Sequence, residues 1–321
     1  MIKFSKSALA LVISSSFFLI ACDDDSTDSD PVAFSLSVSD APVDNASKVV
    51  VCFSEITLKN EGKEFILPIL PSDAGVDECL DQDDLPITEN LAINLLDAQG
   101  SDSIEISETI DVEPGEYQMR VAVPDFSGSY VMTDEDGDGT DEKVLVEVPS
   151  QELKFSKFTV TQGGDANFTL EFDLRKSMNI PNKEGAAWHL KPNGVRLIDN
   201  NQAGHIAGIV PEASLCEGED AATFVYLYEG IELDPKNLGD MYYHAESGDY
   251  LGEGEEPVAS TEVIAEVQSD GSYEIGFVAI GEYSLALTCS TDLPESSEVL
   301  VFEQVIETTV VEKQTAQADF L

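Results

Sequence analysis

Short runs in which apolar and polar residues alternate dominate this 321-residue chain, and they leave few folds open to it. In AFSLSVSD, Phe34, Leu36 and Val38 fall on one side of an extended backbone and serines on the other, the pattern of a half-buried strand. KVVVCFSEITL groups Val49, Val51 and Phe53, with Cys52 on the opposite side. EPGEYQMRVAVP turns at Pro114-Gly115 and then alternates Tyr117, Met119, Val121 and Val123. SYVMTDEDGDGTDEKVLVEV reads as two strands around an acidic loop, and KFTVTQGGDANFTLEFDL as a hairpin turned at Gly163-Gly164. WHLKPNGVRLID supplies another strand. Long amphipathic helical stretches are nearly absent. Residues 75–96 are the least strand-like, and ENLAINLLDA is expected to form a short helix. About nine strands therefore precede residue 200, with turns at the intervals of a β-sandwich.

The polar stretch IDNNQAG, residues 198–204, has no pattern and marks a boundary. Strands resume in HIAGIV, ATFVYLYE, STEVIAEV, SYEIGFVA, EYSLALTC, VLVFEQV and TTVVEKQTAQADF. Seven short strands predict a second, smaller sandwich. The expected fold class is all-β, with two β-sandwich domains (Ig-like or transthyretin-like) at residues 32–199 and 204–321. They stand behind a signal peptide and an acidic tether.

The amino-terminal segment sets the address. Lys3 and Lys6 precede SALALVISSSFFLIA, residues 7–21, an apolar run of secretory length that is too short to span a bilayer. LIAC, Leu19 to Cys22, resembles the lipobox of bacterial lipoproteins. That resemblance implies a signal peptide at 1–21, a diacylglyceryl group on the Cys22 thiol, and acylation of the new amino terminus. One acyl chain binds a membrane marginally, whereas two or three hold it firmly. Residues 22–31 then form the lipidated cysteine and its tether: DDDSTDSD carries no apolar residue and stays extended. The expected localisation is the cell envelope, lipid-anchored to a bacterial membrane and facing the periplasm or the cell surface.

Composition narrows the partners. Acidic residues number 63 against 16 basic ones, for a net charge of −47. Such a chain is repelled by nucleic acid, which is not an expected partner. Beyond Cys22 four cysteines remain, Cys52, Cys79, Cys216 and Cys289, an even count that suits disulfides in an oxidising compartment. Three connectivities are open. If there are two domains, Cys52–Cys79 and Cys216–Cys289 stay within each.

Several blocks in order resemble the domain of unknown function 4382, a β-rich domain of bacterial envelope lipoproteins. They are SLSVSDAPVDNASKVVVCFSEITL, EPGEYQMRV, VPSQELKFSKFTV, FDLRKSM and WHLKPNGVRLID, together covering about residues 33–199. The resemblance implies a location and a fold and carries no reaction. The second half resembles the carboxypeptidase-regulatory, transthyretin-like sandwich in GHIAG at 204–208 and SDGSYEIGFVAIGEYSL at 269–285. That resemblance implies a hairpin turn at Asp270-Gly271, a strand opening at Gly281-Glu282-Tyr283, and a non-catalytic spacer or a module facing protein or carbohydrate. The insert at 234–257 departs from its pattern.

Candidate sites are few. TDEDGDGTDE, residues 133–142, offers Asp134, Asp136, Asp138, the Thr140 carbonyl, and Asp141 or Glu142 as oxygen donors for Ca²⁺. It resembles the start of an EF-hand loop, but Leu145 stands where that loop places its bidentate Glu and the flanks read as strands. The alternative is a solvated acidic turn. Arg175 and Lys176 in FDLRKS either face an anionic ligand or neutralise Asp173 and Glu171. Trp188 beside His189 is either a sugar-stacking platform or a core anchor. Met241, Tyr242, Tyr243 and Tyr250 cluster in the insert and suit recognition of a sugar or a protein, or cover a sandwich edge. The histidines His189, His205 and His244 are scattered, and no hydrolase elbow, metal-protease helix or nucleotide loop occurs. The expected function is a non-catalytic binding or adaptor module for an envelope protein or glycan. A structural envelope component stabilised by calcium and disulfides, and an uncharacterised hydrolase, are the alternatives.

Overall fold

The structure is a computed structural model that describes residues 30–41, 46–71, 77–124, 127–134, 138–179, 186–216, 222–239, 263–289 and 301–321. It is all-β, with one four-residue helical turn, Leu174–Ser177, and a few 3-10 turns among the described residues.

Three sheets share the first core. Strand Val32–Ala41 sits inside a five-stranded sheet and runs parallel to Ala166–Asp173, with Phe34 opposite Ala166 and Ala41 opposite Asp173. Val195–Asp199 pairs with the far side of Ala166–Asp173. The short strands Ile104–Glu105 and Ile110–Val112 pair with Val32–Ala41. A second sheet places Gly115–Ala122 between Glu55–Asn60 and the strands Glu152–Lys154 and Phe158–Val160, with Lys63–Leu67 outermost. A third runs Met178–Asn179, Trp188–Leu190, Glu142–Glu147, Tyr130–Thr133, Lys48–Phe53, Leu91–Asn94. Each sheet turns one face inward. Phe34, Leu36, Val38, Val49, Val51, Phe53, Ile56, Leu58, Tyr117, Met119 and Val121 therefore fall into one continuous buried cluster. Burying a side chain of this size contributes roughly 1.5–3 kcal/mol, so the alternating residues supply the driving force for the arrangement.

Residues beyond 200 bury a separate cluster. A three-stranded sheet, Ser272–Ala279, Ala203–Ile209, Thr315–Gln317, faces a four-stranded one, Val263–Glu266, Phe224–Glu229, Gly281–Thr288, Phe302–Val310. Ile206, Val225, Leu227, Ile275, Leu285, Leu287 and Val310 fill the space between them. Strand Phe224–Glu229 is covered on its other face too, where Tyr226 and Tyr228 pack with Leu233, Leu238 and Phe302. The 3-10 turn Asn200–Gln202 lies between the two clusters in sequence.

Five sequence expectations change. WHLKPNGVRLID is two strands, Trp188–Leu190 in the third sheet and Val195–Asp199 in the first, parted by a 3-10 turn at Pro192–Gly194. KVVVCFSEITL is two strands, because the chain turns a corner at Ser54 and moves from the third sheet to the second. ENLAINLLDA is a buried strand, Leu91–Asn94, followed by a 3-10 turn, since pairing with Lys48–Phe53 outweighs its helical composition. Phe158–Val160 and Ala166–Asp173 are not a hairpin: each joins a different sheet across the Gly163 turn. FEQVIETTV is one strand, Phe302–Val310, paired along its length with Gly281–Thr288.

Candidate functional site

The disulfides fix loops in both halves. Cys52 bonds Cys79 across 27 residues, and Cys216 bonds Cys289 across 73. Cys52 does face away from Val49, Val51 and Phe53, and with Val50, Tyr130 and Cys79 it forms a small cluster on the outer face of the third sheet. The bridge pins the two-stranded hairpin Cys79–Leu80 and Pro86–Ile87 there. Lys143 Nζ donates to the Asp81 carbonyl at 2.7 Å and forms an ion pair with Asp84. A cavity of about 290 Å³ opens beneath this hairpin, beside Gly128 and Ser129.

In the acidic loop the carboxylates cap their own backbone. Asp134 Oδ1 accepts from the Asp138 N–H at 3.0 Å and Asp134 Oδ2 from the Gly139 N–H at 2.8 Å. Asp138 Oδ1 accepts from the Thr140 N–H at 2.8 Å, and the Ser47 hydroxyl donates to Asp141. Asp136 lies outside the described residues. Among those described, no three His, Cys, Asp or Glu side chains converge as metal donors.

Glu171 is buried on the Ala166–Asp173 strand, and the Arg196 guanidinium from the neighbouring strand donates to its carboxylate. Arg196 is thus the described partner of Glu171, and the Arg175 side chain lies outside the described residues. Burial, with Asp173 nearby, pushes the Glu171 carboxyl up to about 6 against the opposing pull of Arg196. Asp173 instead caps the helical turn, accepting from the Lys176 N–H at 3.1 Å. Trp188 is 2 % exposed and belongs to the first core, so it offers no sugar platform. Cys22, Met241, Tyr242, Tyr243, Tyr250 and His244 lie outside the described residues.

Two open concavities are lined by mixed side chains. One, of about 460 Å³, lies where the turn at Gln99-Gly100 meets the three-stranded sheet. Ala207 lies there between Glu274 and Gln317 on the neighbouring strands, with Ile209 beyond it, about half exposed. The Ser39 hydroxyl holds the turn through the Ala98 and Asp102 carbonyls, at 3.1 and 2.8 Å. Two residues before Ala207 on the same strand, the half-buried His205 accepts from the Phe277 N–H through Nδ1 at 3.3 Å. Burial lowers the His205 pKa, and Glu274 partly opposes this.

The other concavity, about 540 Å³, sits at the outer edge of the second sheet. Strands Glu55–Asn60 and Lys63–Leu67 join through Glu61 and Gly62, with φ of +45° and +82°, the left-handed pair of a tight type I′ hairpin. A Cβ on Gly115 would stand 2.8 Å from Asn60 Nδ2, so glycine lets the segment at 113–115 close against the hairpin. Between them lies Phe65, 38 % exposed. Behind it runs a file of rings: Tyr117 at 6.4 Å, then Phe158 at 6.1 Å, Phe168 at 4.8 Å and Phe34 at 5.4 Å. Tyr117 Oη donates to the Glu113 carbonyl at 2.7 Å. Lys59 pairs with Glu64 at 3.1 Å and Lys157 with Glu116, whereas the exposed Lys63 has no ion pair among the described residues. The sequence signals of this groove are the hairpin turn NEGK and the exposed Phe65 just after it, and neither marks a site by itself.

Residues 32–192 match the family described as Domain of unknown function (DUF4382), half of the chain, and the chain belongs to that family. No curated protein matches. Among solved structures, the Bacillus anthracis TIE protein is 10 % identical over 90 % of this chain and 34 % of its own, with a TM-score of 0.19. This chain thus spans about a third of that protein's length. BcpA, the major pilin subunit of Bacillus cereus, is 8 % identical over 90 % of this chain and 69 % of its own, with a TM-score of 0.20. GBS52, the minor pilin of Streptococcus agalactiae, is 12 % identical over 89 % and 94 %, with a TM-score of 0.20. At these scores the chains do not superpose as wholes.

Proposed function

We propose that this member of the DUF4382 family is a lipid-anchored envelope protein working as a non-catalytic binding module for a protein or glycan partner. The observation that carries the address is the pair of disulfides, one in each half, which suits an exported chain in an oxidising compartment. LIAC with its acidic tether supports attachment through Cys22. We divide the chain into two domains at the 3-10 turn Asn200–Gln202, because the buried clusters on either side share no residue. We read the second as a transthyretin-like sandwich on the resemblance of residues 204–208 and 269–285. Calcium at residues 134–142 belongs to the alternative reading, a structural envelope component stabilised by calcium and disulfides.

The test of the role is crosslinking of the full-length protein in cells, followed by mass spectrometry. One enriched partner, lost when the open concavities are altered, is the expected result. Only scattered abundant neighbours would overturn the adaptor role in favour of a structural one. Acyl labelling that persists in Cys22→Ser would overturn the anchor.

A further inference from the structure

We propose that the groove beside Phe65 is a carbohydrate subsite that takes the face of a neutral pyranose ring. This rests on the binding-module reading and names its ligand class.

The aromatic wall is the first argument. Phe65 presents part of its ring to solvent, while the rings behind it are packed in file down to the buried Phe34. Tyr117, the first ring of that file, backs Phe65 on its inner side. The apolar C–H face of a sugar ring can cover such a surface with little loss of side-chain freedom.

The polar rim is the second. Lys59, Lys63 and Lys157 supply ammonium donors, and Glu61, Glu113 and Glu116 supply carboxylate acceptors, all lining one groove. Sugar hydroxyls both donate and accept, so a ring of mixed sign satisfies them on every side. Lys59 is balanced by Glu64 and Lys157 by Glu116, which leaves Lys63 beside Glu61 and Glu113, so the groove offers no net positive charge in a chain whose net charge is −47. A polyanion gains no local attraction here that offsets repulsion from the surrounding surface, whereas a neutral ligand meets none.

Preorganisation is the third. The type I′ hairpin and the close approach of Asn60 to Gly115 set both walls before any ligand arrives.

The experiment is calorimetric titration of the full-length protein in detergent with a panel of neutral hexasaccharides and with polygalacturonate of matched length. At least one neutral hexasaccharide is expected to bind, with affinity changing by less than about twofold between about 50 and 300 mM salt. Phe65→Ala should weaken it about tenfold or more. Lys63→Met, which removes only an exposed side chain, should weaken it about threefold with the fold intact. Ile66→Thr, on the opposite face of the same strand, should leave it unchanged.

Absence of binding across the neutral panel overturns the assignment. So does binding that Phe65→Ala and Lys63→Met both leave intact. Binding of polygalacturonate alone, falling about tenfold with added salt, overturns it in favour of polyanion capture. If the groove fails while crosslinking still captures one dominant partner, the binding-module reading stands. If both fail, that reading falls as well.

Discussion

Gly276 meets Gly100 so closely that a Cβ on residue 276 would lie 1.8 Å from the Gly100 carbonyl oxygen. The contact sets the turn at 98–102, held by Ser39, against the edge strand Ser272–Ala279, whose Phe277 N–H donates to His205 on the central strand. It joins the half that buries the first core to the half that buries the second. Gly276→Ala has no room without moving backbone on both sides. It should destabilise the chain by roughly 1–3 kcal/mol, the usual range for overpacking. Urea unfolding checks this against Gly164→Ala, where a Cβ meets nothing within 4 Å and the expected change is below about 0.5 kcal/mol.

Glu171 predicts a pH response. Its folded carboxyl titrates at about 6, above the ordinary 4.5, so between these values the folded state holds the proton more tightly than the unfolded chain. Its contribution to stability therefore grows as pH falls from above 6 toward 4.5. The span corresponds to about 2 kcal/mol. Glu171→Gln, neutral throughout, should flatten this part of the profile. Thermal unfolding at about pH 7.5 and pH 5 measures it, and identical slopes in the two proteins would refute the assignment.

His205 should act in the opposite direction. Burial holds its pKa below 6.5 in the folded chain, so the unfolded chain binds the proton more readily. Protonation also removes the Nδ1 lone pair that accepts from the Phe277 N–H. Stability from this group is present above pH 6.5 and is lost as pH falls from there through the lower folded value. His205→Gln should lose stability at neutral pH and show a weaker decline toward acid. Amide exchange at Phe277, measured at both pH values, reports the same event locally.

The strands were legible because alternation sorts side chains by face. Val49, Val51 and Phe53 point to the first core and Cys52 away from it, as the spacing implies. Neighbours were not legible. Ser35 donates to Asn167 Oδ1 at 2.8 Å because Val32–Ala41 runs parallel to Ala166–Asp173, and a period of two residues carries no record of a partner more than a hundred residues away. Sheet changes are equally silent: Ser54 looks like a strand residue and is a corner. The Phe65 groove is hidden for the same reason. Lys59, Glu113 and Lys157 lie on segments far apart in sequence, and only the pairing of Gly115–Ala122 with both its neighbours brings them together. Trp188 stands out in the sequence as the one Trp, yet its ring fills the core.

The disulfides should contribute unequally. Loop closure scales with the logarithm of the residues enclosed, and the bridges close 27 and 73 residues. Removing Cys52–Cys79 as a double serine variant should cost about 3.5 kcal/mol, and removing Cys216–Cys289 about 4.5 kcal/mol. Local effects separate them further. Without the first bridge, the hairpin over the cavity at Gly128 is held by Lys143 and by contacts of Leu80 and Ile87, so protease cutting at 80–86 should rise strongly. Without the second, the Cys216 N–H bond to Thr223 Oγ1 at 2.9 Å remains, and the two sheets still meet through Ile206 and Leu285. Its loss should therefore appear in global unfolding rather than in local cleavage. Equal protection of residues 80–86 with and without Cys52–Cys79 would show that the hairpin does not depend on its staple.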